Sequence, residues 1–86
     1  MDMIDEELLR LRTRLDELVG RVIPDLENKS QMLYARIMPL QKGTEQRDKL
    51  ESEYTLLSKE LRLRSDELYK ARQQIESLEL QKTLKH

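Results

Sequence analysis

The sequence contains no cysteine, phenylalanine or tryptophan, and only two glycines and two prolines in 86 residues. The absence of cysteine excludes a disulfide scaffold and a thiolate metal site. The small number of glycines, prolines and large aromatic residues argues against a β-sandwich and against an α/β enzyme fold. The composition of the chain is therefore unlike that of most compact catalytic domains.

The usual chemical groups of an active site are also missing. The only histidine is His86, the last residue, and there is neither a glycine-rich phosphate loop nor a calcium-loop pattern. Carboxylates are abundant, but they stand beside basic residues as on a solvated helix face, not as a secluded acid–base pair. We therefore expect no enzyme activity, no catalytic, cofactor-binding or metal-binding residues, and no small-molecule substrate.

The charges are balanced along the chain. Sixteen basic and seventeen acidic residues give a net charge of −1, so no overall field draws the chain to nucleic acid or acidic lipid. The apolar runs are too short for membrane insertion, and the acidic N-terminus does not resemble a signal peptide. These features favour a cytoplasmic or nuclear location.

What the sequence has in excess is the composition of a coiled coil. Ala, Glu, Lys, Leu and Arg supply 46 of the 86 residues, a bias typical of long helices. Apolar residues recur with a 3.5-residue period in three segments, which predicts helix in each of them. The frame slips by one residue at Gly20–Pro24, where the proline predicts a kink with the helix continuing beyond it. A real turn is predicted at 39–44, because Gly43 is a helix terminator and Thr44 an N-cap.

The turn divides the chain into two arms of nearly equal length, 2–40 and 45–84, joined by residues 41–44. If the arms run antiparallel, their apolar positions face each other in a constant register, apart from the one-residue slip near Gly20–Pro24. We therefore predict an all-α fold, an antiparallel helical hairpin about 60–70 Å long. The alternative is a long parallel coiled-coil dimer, a rod of about 125 Å.

The predicted hairpin has a leucine-rich core. Opposite charges flank it at the pairs Lys29–Glu60 and Arg36–Glu53, and a third attractive pair joins Arg21 to Glu67. Like charges meet on the other edge, at Asp5–Glu79 and Arg12–Arg72. The predicted core residues are Leu8, Leu11, Leu15, Leu18, Leu26, Leu33, Ile37, Leu50, Tyr54, Leu57, Leu61, Leu68, Ile75 and Leu78.

Apolar residues remain outside this core. Met32, Tyr34 and Met38 widen the apolar stripe of the first arm, and Leu56 and Leu63 lie one heptad apart on the second. A two-helix hairpin of this size seldom holds itself together. We therefore predict self-association, most simply as a dimer that forms a four-helix bundle, and a function in oligomerisation or scaffolding.

Two other functions stay open at this point. A surface rich in methionine suits the docking of a helix from another protein, so the Met32, Tyr34 and Met38 face could belong to a binding adaptor or a chaperone-like hairpin. Arg10, Arg14 and Arg21 lie near one helix face and could contact nucleic-acid phosphates. Acidic residues interleave with these arginines, which favours a salt-bridged helix face instead.

The heptad pattern extends over almost the whole of residues 1–86. It begins at Met1 and continues nearly to His86, with no polar tail at either end. This favours a single coiled-coil module that is a segment of a larger coiled-coil protein.

Overall fold

A computed structural model describes residues 2–84 of the chain, and 90% of the structure is helical. The elements are α1 (Met3–Glu17), a wide π-helical turn (Leu18–Val22), α2 (Ile23–Ile37) and α3 (Glu45–Leu84). The described part contains no strand and measures 64 × 16 × 14 Å. The prediction of an all-helical chain is confirmed.

Helix α1 begins where a side chain caps it. The carboxylate of Asp2 accepts a hydrogen bond from the backbone N–H of Ile4 at 3.3 Å. Asp5 and Glu6 then place negative charge in the first turn, where it interacts favourably with the helix dipole. The helix therefore has a defined start two residues into the chain.

The one-residue slip of the heptad frame coincides with the π-turn. The backbone N–H of Ile23 donates to the carbonyl of Leu18, five residues back instead of four. A turn of this kind inserts one extra residue into a helix, which is the amount by which the frame shifts. At Gly20–Pro24 the slip takes the form of a widened turn that begins at Leu18, and the chain stays helical through Val22 and Ile23.

Proline explains both how α2 starts and where it ends. Pro24 stands in the first turn of α2, where its missing N–H is tolerated. Pro39 has no N–H to donate to the carbonyl four residues back, so the regular ladder ends at Ile37, three residues before the predicted end of the first arm. Leu40 then donates to the Ile37 carbonyl at 3.0 Å and tightens the chain into a turn.

The turn before α3 uses one glycine and one threonine. Gly43 has a φ of 84°, in the left-handed region that favours glycine. The hydroxyl of Thr44 donates to the Gln41 carbonyl at 2.9 Å and accepts from the Arg47 N–H at 3.4 Å. The Arg47 guanidinium reaches back across the turn to the carbonyl of Leu40 at 2.6 Å. These contacts fix the direction in which α3 leaves the turn.

Helix α3 packs against both α1 and α2. Lys82, near its end, pairs with Asp5, near the start of α1. The 64 Å extent is about half the roughly 125 Å that one continuous helix of this length would have. Within residues 2–84, no helix is both long enough and apolar enough to cross a lipid bilayer.

The buried side chains form a thin apolar layer between α3 and the two helices before it. Leu33, Ile37 and Leu50 make one cluster near the turn, with Tyr54 and Leu57 packed on it. Six of the predicted core residues are buried and the others are half-buried. The buried ones are Leu8, Leu11, Leu18, Leu33, Ile37 and Leu50, and the half-buried ones are Leu15, Leu26, Tyr54, Leu57, Leu61, Leu68, Ile75 and Leu78.

Candidate interaction surfaces

Large apolar side chains cover much of the outside of the molecule. Those predicted to form an interaction surface are all exposed, with exposed fractions from 52% for Tyr34 to 65% for Leu56. Met32, Met38 and Leu63 fall between these two values. Leu9, Val19, Tyr69 and Leu80 are exposed as well.

The structure divides the predicted Met32, Tyr34 and Met38 surface into two. Leu33 and Ile37 face α3, so residues one position before them lie on one side of the α2–α3 seam and residues one position after them on the other. Met32 therefore lies on one side, and Tyr34 and Met38 lie on the opposite side. The three side chains do not share one side of α2, because residues two positions apart on a helix point about 200° apart.

The first of the two surfaces, which we call the Met32 groove, has charged rims. On α2 it is lined by Lys29, Met32 and Arg36, with Leu33 at its floor, and on α3 by Glu53 and Leu57. Leu56 stands three positions after Glu53 and shares its helix face, and Leu63 follows one heptad later. This groove combines an apolar centre with a basic rim on one side and an acidic rim on the other.

The second surface, the tyrosine groove, is uncharged. It is lined by Ser30, Gln31, Tyr34 and Tyr54. The two tyrosine rings lie 6.1 Å apart at an interplanar angle of 47°, a tilted packing that is favourable for aromatic pairs. Met38 stands four positions after Tyr34 and extends the same side of α2. The two grooves thus offer different chemistry on opposite faces of one helix pair.

A cluster of ion pairs joins α1 to α3. Glu67 on α3 accepts from Arg14 at 2.7 and 3.1 Å and from Arg64 at 2.8 Å, and Arg64 also bonds Glu60 at 2.9 Å. The hydrogen bonds from Arg14, then those from Arg64, lower the pKa of Glu67 from 4.5 to about 2. The same contacts raise the pKa of both arginines. Arg64, which occupies a core position of the heptad, is accommodated in this way.

The ion pairs between the arms differ from those predicted. Glu67 contacts Arg14, not Arg21, and Arg21 pairs instead with Glu17 at 3.4 Å within its own arm. On the other edge, the expected like-charge contacts are avoided because Arg12 pairs with Glu79 and Asp5 with Lys82. The prediction from heptad positions considered only residues that face each other directly. Long side chains can instead reach diagonally to the nearest opposite charge.

The arginines proposed for nucleic-acid contact are all engaged by carboxylates. Arg10 pairs with Glu7, and Arg14 with both Glu17 and Glu67, in addition to the Arg21–Glu17 pair. The hydrogen bond to Arg10 lowers the pKa of Glu7. These contacts neutralise much of the positive charge that phosphate binding needs.

In residues 2–84, no three histidine, cysteine, aspartate or glutamate residues lie close enough together to hold a metal ion. His86 lies outside the described residues, as does Met1.

No known protein family, curated protein or solved structure matches the chain. The geometry of the two grooves and of the ion-pair cluster is therefore the starting point for a function.

Proposed function

We propose that the chain is a structural interaction module, an antiparallel helical hairpin that self-associates through coiled-coil packing and gives its parent assembly oligomerisation or scaffolding. The observation that carries this proposal is the exposed apolar surface on both faces of the helix pair, from Met32, Leu56 and Leu63 on one side to Tyr34 and Met38 on the other. Exposed apolar patches of this kind mark protein interfaces. A dimer that forms a four-helix bundle is the simplest assembly.

The thinness of the molecule supports the same proposal. Two helices side by side bury only one stripe each, and Leu18 is the one large side chain among the described residues with no exposed surface. Each fully buried leucine contributes about 1.5–3 kcal/mol, and small domains with a core this thin gain stability from a disulfide, a metal or a partner. Cysteine is absent, so a partner chain is the stabiliser that the composition allows.

The proposal is tested by the mass of the isolated chain across concentration. We expect a dimer or larger assembly at micromolar concentration, with helix content and melting temperature that rise as the assembly forms. Sedimentation equilibrium and circular dichroism give these two quantities. A chain that is monomeric yet fully helical at high micromolar concentration contradicts the proposal.

A second candidate is a binding adaptor that receives a helix from a different protein. The tyrosine groove favours it, because Tyr34, Tyr54 and Met38 offer an adaptable, uncharged surface for an amphipathic helix. Replacing Tyr34 and Met38 by serine tests whether this surface receives a foreign helix or a second copy of the chain. An adaptor loses its foreign partner and keeps its assembly mass, whereas a module that self-associates through this face loses the mass.

A further inference from the structure

We propose that the Met32 groove is the face on which a second copy of this chain docks, with α2 of each copy lying over α3 of the other. The inference rests on the self-association proposed above and specifies its face and its orientation. The groove follows the α2–α3 seam, with Lys29 and Arg36 on the α2 rim and Glu53 on the α3 rim. Unlike charges on opposite rims make this face complementary to itself.

The rim charges are available to a partner. Among residues 2–84, neither Lys29 nor Arg36 nor Glu53 has an opposite charge within 4.0 Å, in contrast to the paired arginines of α1. Glu60 continues the acidic rim one heptad after Glu53, and its side chain is 43% exposed beside Arg64. Charges left unpaired next to an apolar strip are suited to set the orientation of a docking surface.

The arrangement of the rims selects one of two face-to-face dimers. A two-fold axis parallel to the arms places α2 of each copy over α3 of the other, so Lys29 and Arg36 meet the acidic rim of the partner. A two-fold axis across the arms places α2 over α2 and brings the basic rims together, which is repulsive. The structure therefore favours the first symmetry, with both turns at the same end of the dimer.

The same symmetry brings apolar side chains together at the centre. Met32 shares the groove with Glu53 and Leu57, so it lies level with the segment of α3 that contains Leu56. A two-fold axis parallel to the arms keeps each residue at the same height along the arms and places α2 of one copy over α3 of the other. Met32 of each copy then packs on Leu56 of the other, and the contact occurs twice in the dimer.

The broad face that contains the groove is as large as one side of a standard interface. The described residues measure 64 × 16 Å across their broad face, a footprint of roughly 1,000 Å², compared with about 800 Å² per partner in a standard interface. The tyrosine groove, by contrast, has neutral walls and offers no charge pattern that would orient a second copy. The self-association face is thus distinguished by its charges and not by apolar area alone.

Single-cysteine variants test the geometry directly, since the parent chain has no cysteine. A mixture of Met32→Cys and Leu56→Cys chains is expected to form a disulfide-linked heterodimer more efficiently than either variant alone. Mixing Leu56→Cys with Tyr34→Cys is the matched control, because Tyr34 lies on the opposite side of α2. Equal cross-linking of Tyr34→Cys and Met32→Cys to Leu56→Cys contradicts the proposed face.

Charge reversal tests the orientation. Two single charge reversals, Arg36→Glu and separately Glu53→Lys, are each expected to weaken dimerisation by about tenfold or more. A mixture of the two is expected to recover the parent affinity, because every facing pair in the heterodimer is then attractive. Gln31→Glu adds one negative charge in the tyrosine groove and is expected to leave dimerisation unchanged.

Sedimentation measurements on these variants separate the two proposals. If the parent dimerises while Arg36→Glu and Glu53→Lys dimerise equally well, the inference is wrong and the proposed function survives. If the variants are weakened but their mixture does not recover the parent affinity, the orientation with α2 over α3 of the partner is wrong. If the parent stays monomeric at high micromolar concentration, both proposals fail.

Discussion

The two halves of the molecule are held together by different forces. In the α2–α3 half, next to the turn, Leu33, Ile37 and Leu50 form a continuous apolar cluster. In the α1–α3 half, all the ion pairs that join the arms of the described chain are found, and they involve Arg12, Arg14 and Asp5. The turn half is thus held mainly by apolar packing, and the open half has charged contacts in addition to its buried leucines.

The apolar packing holds the helices together, and the ion pairs fix how they are aligned. Apolar packing tolerates small shifts between helices, whereas the bonds from Arg14 and Arg64 to Glu67 form only at one alignment of α1 with α3. The π-turn at Leu18–Val22 lies between the halves and absorbs the extra residue of the first arm. Each half therefore keeps its own alignment with the unbroken helix α3.

The largest expected effect comes from the apolar cluster. Leu33→Ala is expected to lower the free energy of unfolding by about 2–5 kcal/mol, since it leaves a cavity beside Ile37 and Leu50. Leu8→Ala in the open half is expected to cost less, because the end of the helix relaxes around the change. Urea titration of both variants measures the difference. A larger loss for Leu8→Ala would overturn the contrast between the halves. Leu80→Ala, at an exposed position outside both grooves, serves as the control for folding.

The two glycines are expected to respond in opposite directions. Gly43→Ala is expected to destabilise the chain by about 1–2 kcal/mol, because an alanine at a φ of 84° is strained. Gly20→Ala is expected to stabilise it by about 0.5–1 kcal/mol, because nothing lies within 4 Å of the added Cβ in a helical backbone. Thermal unfolding of both variants provides the comparison. A gain from Gly43→Ala would mean that the turn is not fixed by this residue.

Acid is expected to weaken the open half before the turn half. The pKa of Glu67 is lowered to about 2 in the folded chain, so its stabilisation is present above its ordinary value of 4.5 and is lost as the pH falls from there toward 2. After screening by solvent, Glu67→Gln is expected to cost about 1 kcal/mol at neutral pH and to remove this acid sensitivity. Hydrogen exchange at pH 3 and pH 6 resolves the two halves. Equal loss of protection in both would contradict the prediction.

The smallest effect is expected at the outer ion pairs. Arg12→Ala removes the exposed contact to Glu79 and is expected to cost about 0–0.5 kcal/mol. Sodium chloride at 1 M is expected to reduce even this difference between the variant and the parent. Unfolding curves at low and high salt measure both effects. A cost that does not change with salt would show that Arg12 contributes through its aliphatic stem instead of its charge.

The elements and their irregularities followed from the sequence to different extents. The helices, the glycine turn and the position of the frame slip could be predicted because each depends on local residue types, such as Gly43, Thr44 and Pro24. The π-turn itself could not, since the apolar pattern shows that one residue is extra but not which backbone hydrogen bonds change to accommodate it. The end of α2 at Ile37 was missed because the apolar pattern continues to Leu40, although Pro39 interrupts the hydrogen-bond ladder.

The candidate surface was predictable as a set of residues but not as an arrangement. Met32, Tyr34 and Met38 stood out because they are apolar positions beyond the core stripe, and all are exposed. Their division into two grooves depends on which residues of α2 face α3. The sequence shows a broad apolar stripe, but it does not show that Leu33 and Ile37 lie at the centre of that stripe. Ala71 is buried as well. Its heptad position pointed to the core, although it was not among the expected core residues.

The turn described above also has a consequence for folding kinetics. Contacts between Ile37 and Leu50 close a short loop, whereas the contact between Asp5 and Lys82 closes nearly the whole chain, and the entropy cost of closure grows with loop length. We therefore expect folding to start at the turn and to proceed along α3 toward α1. Changes around Gly43 should then alter how fast the chain folds, and changes near Asp5 should alter how fast it unfolds.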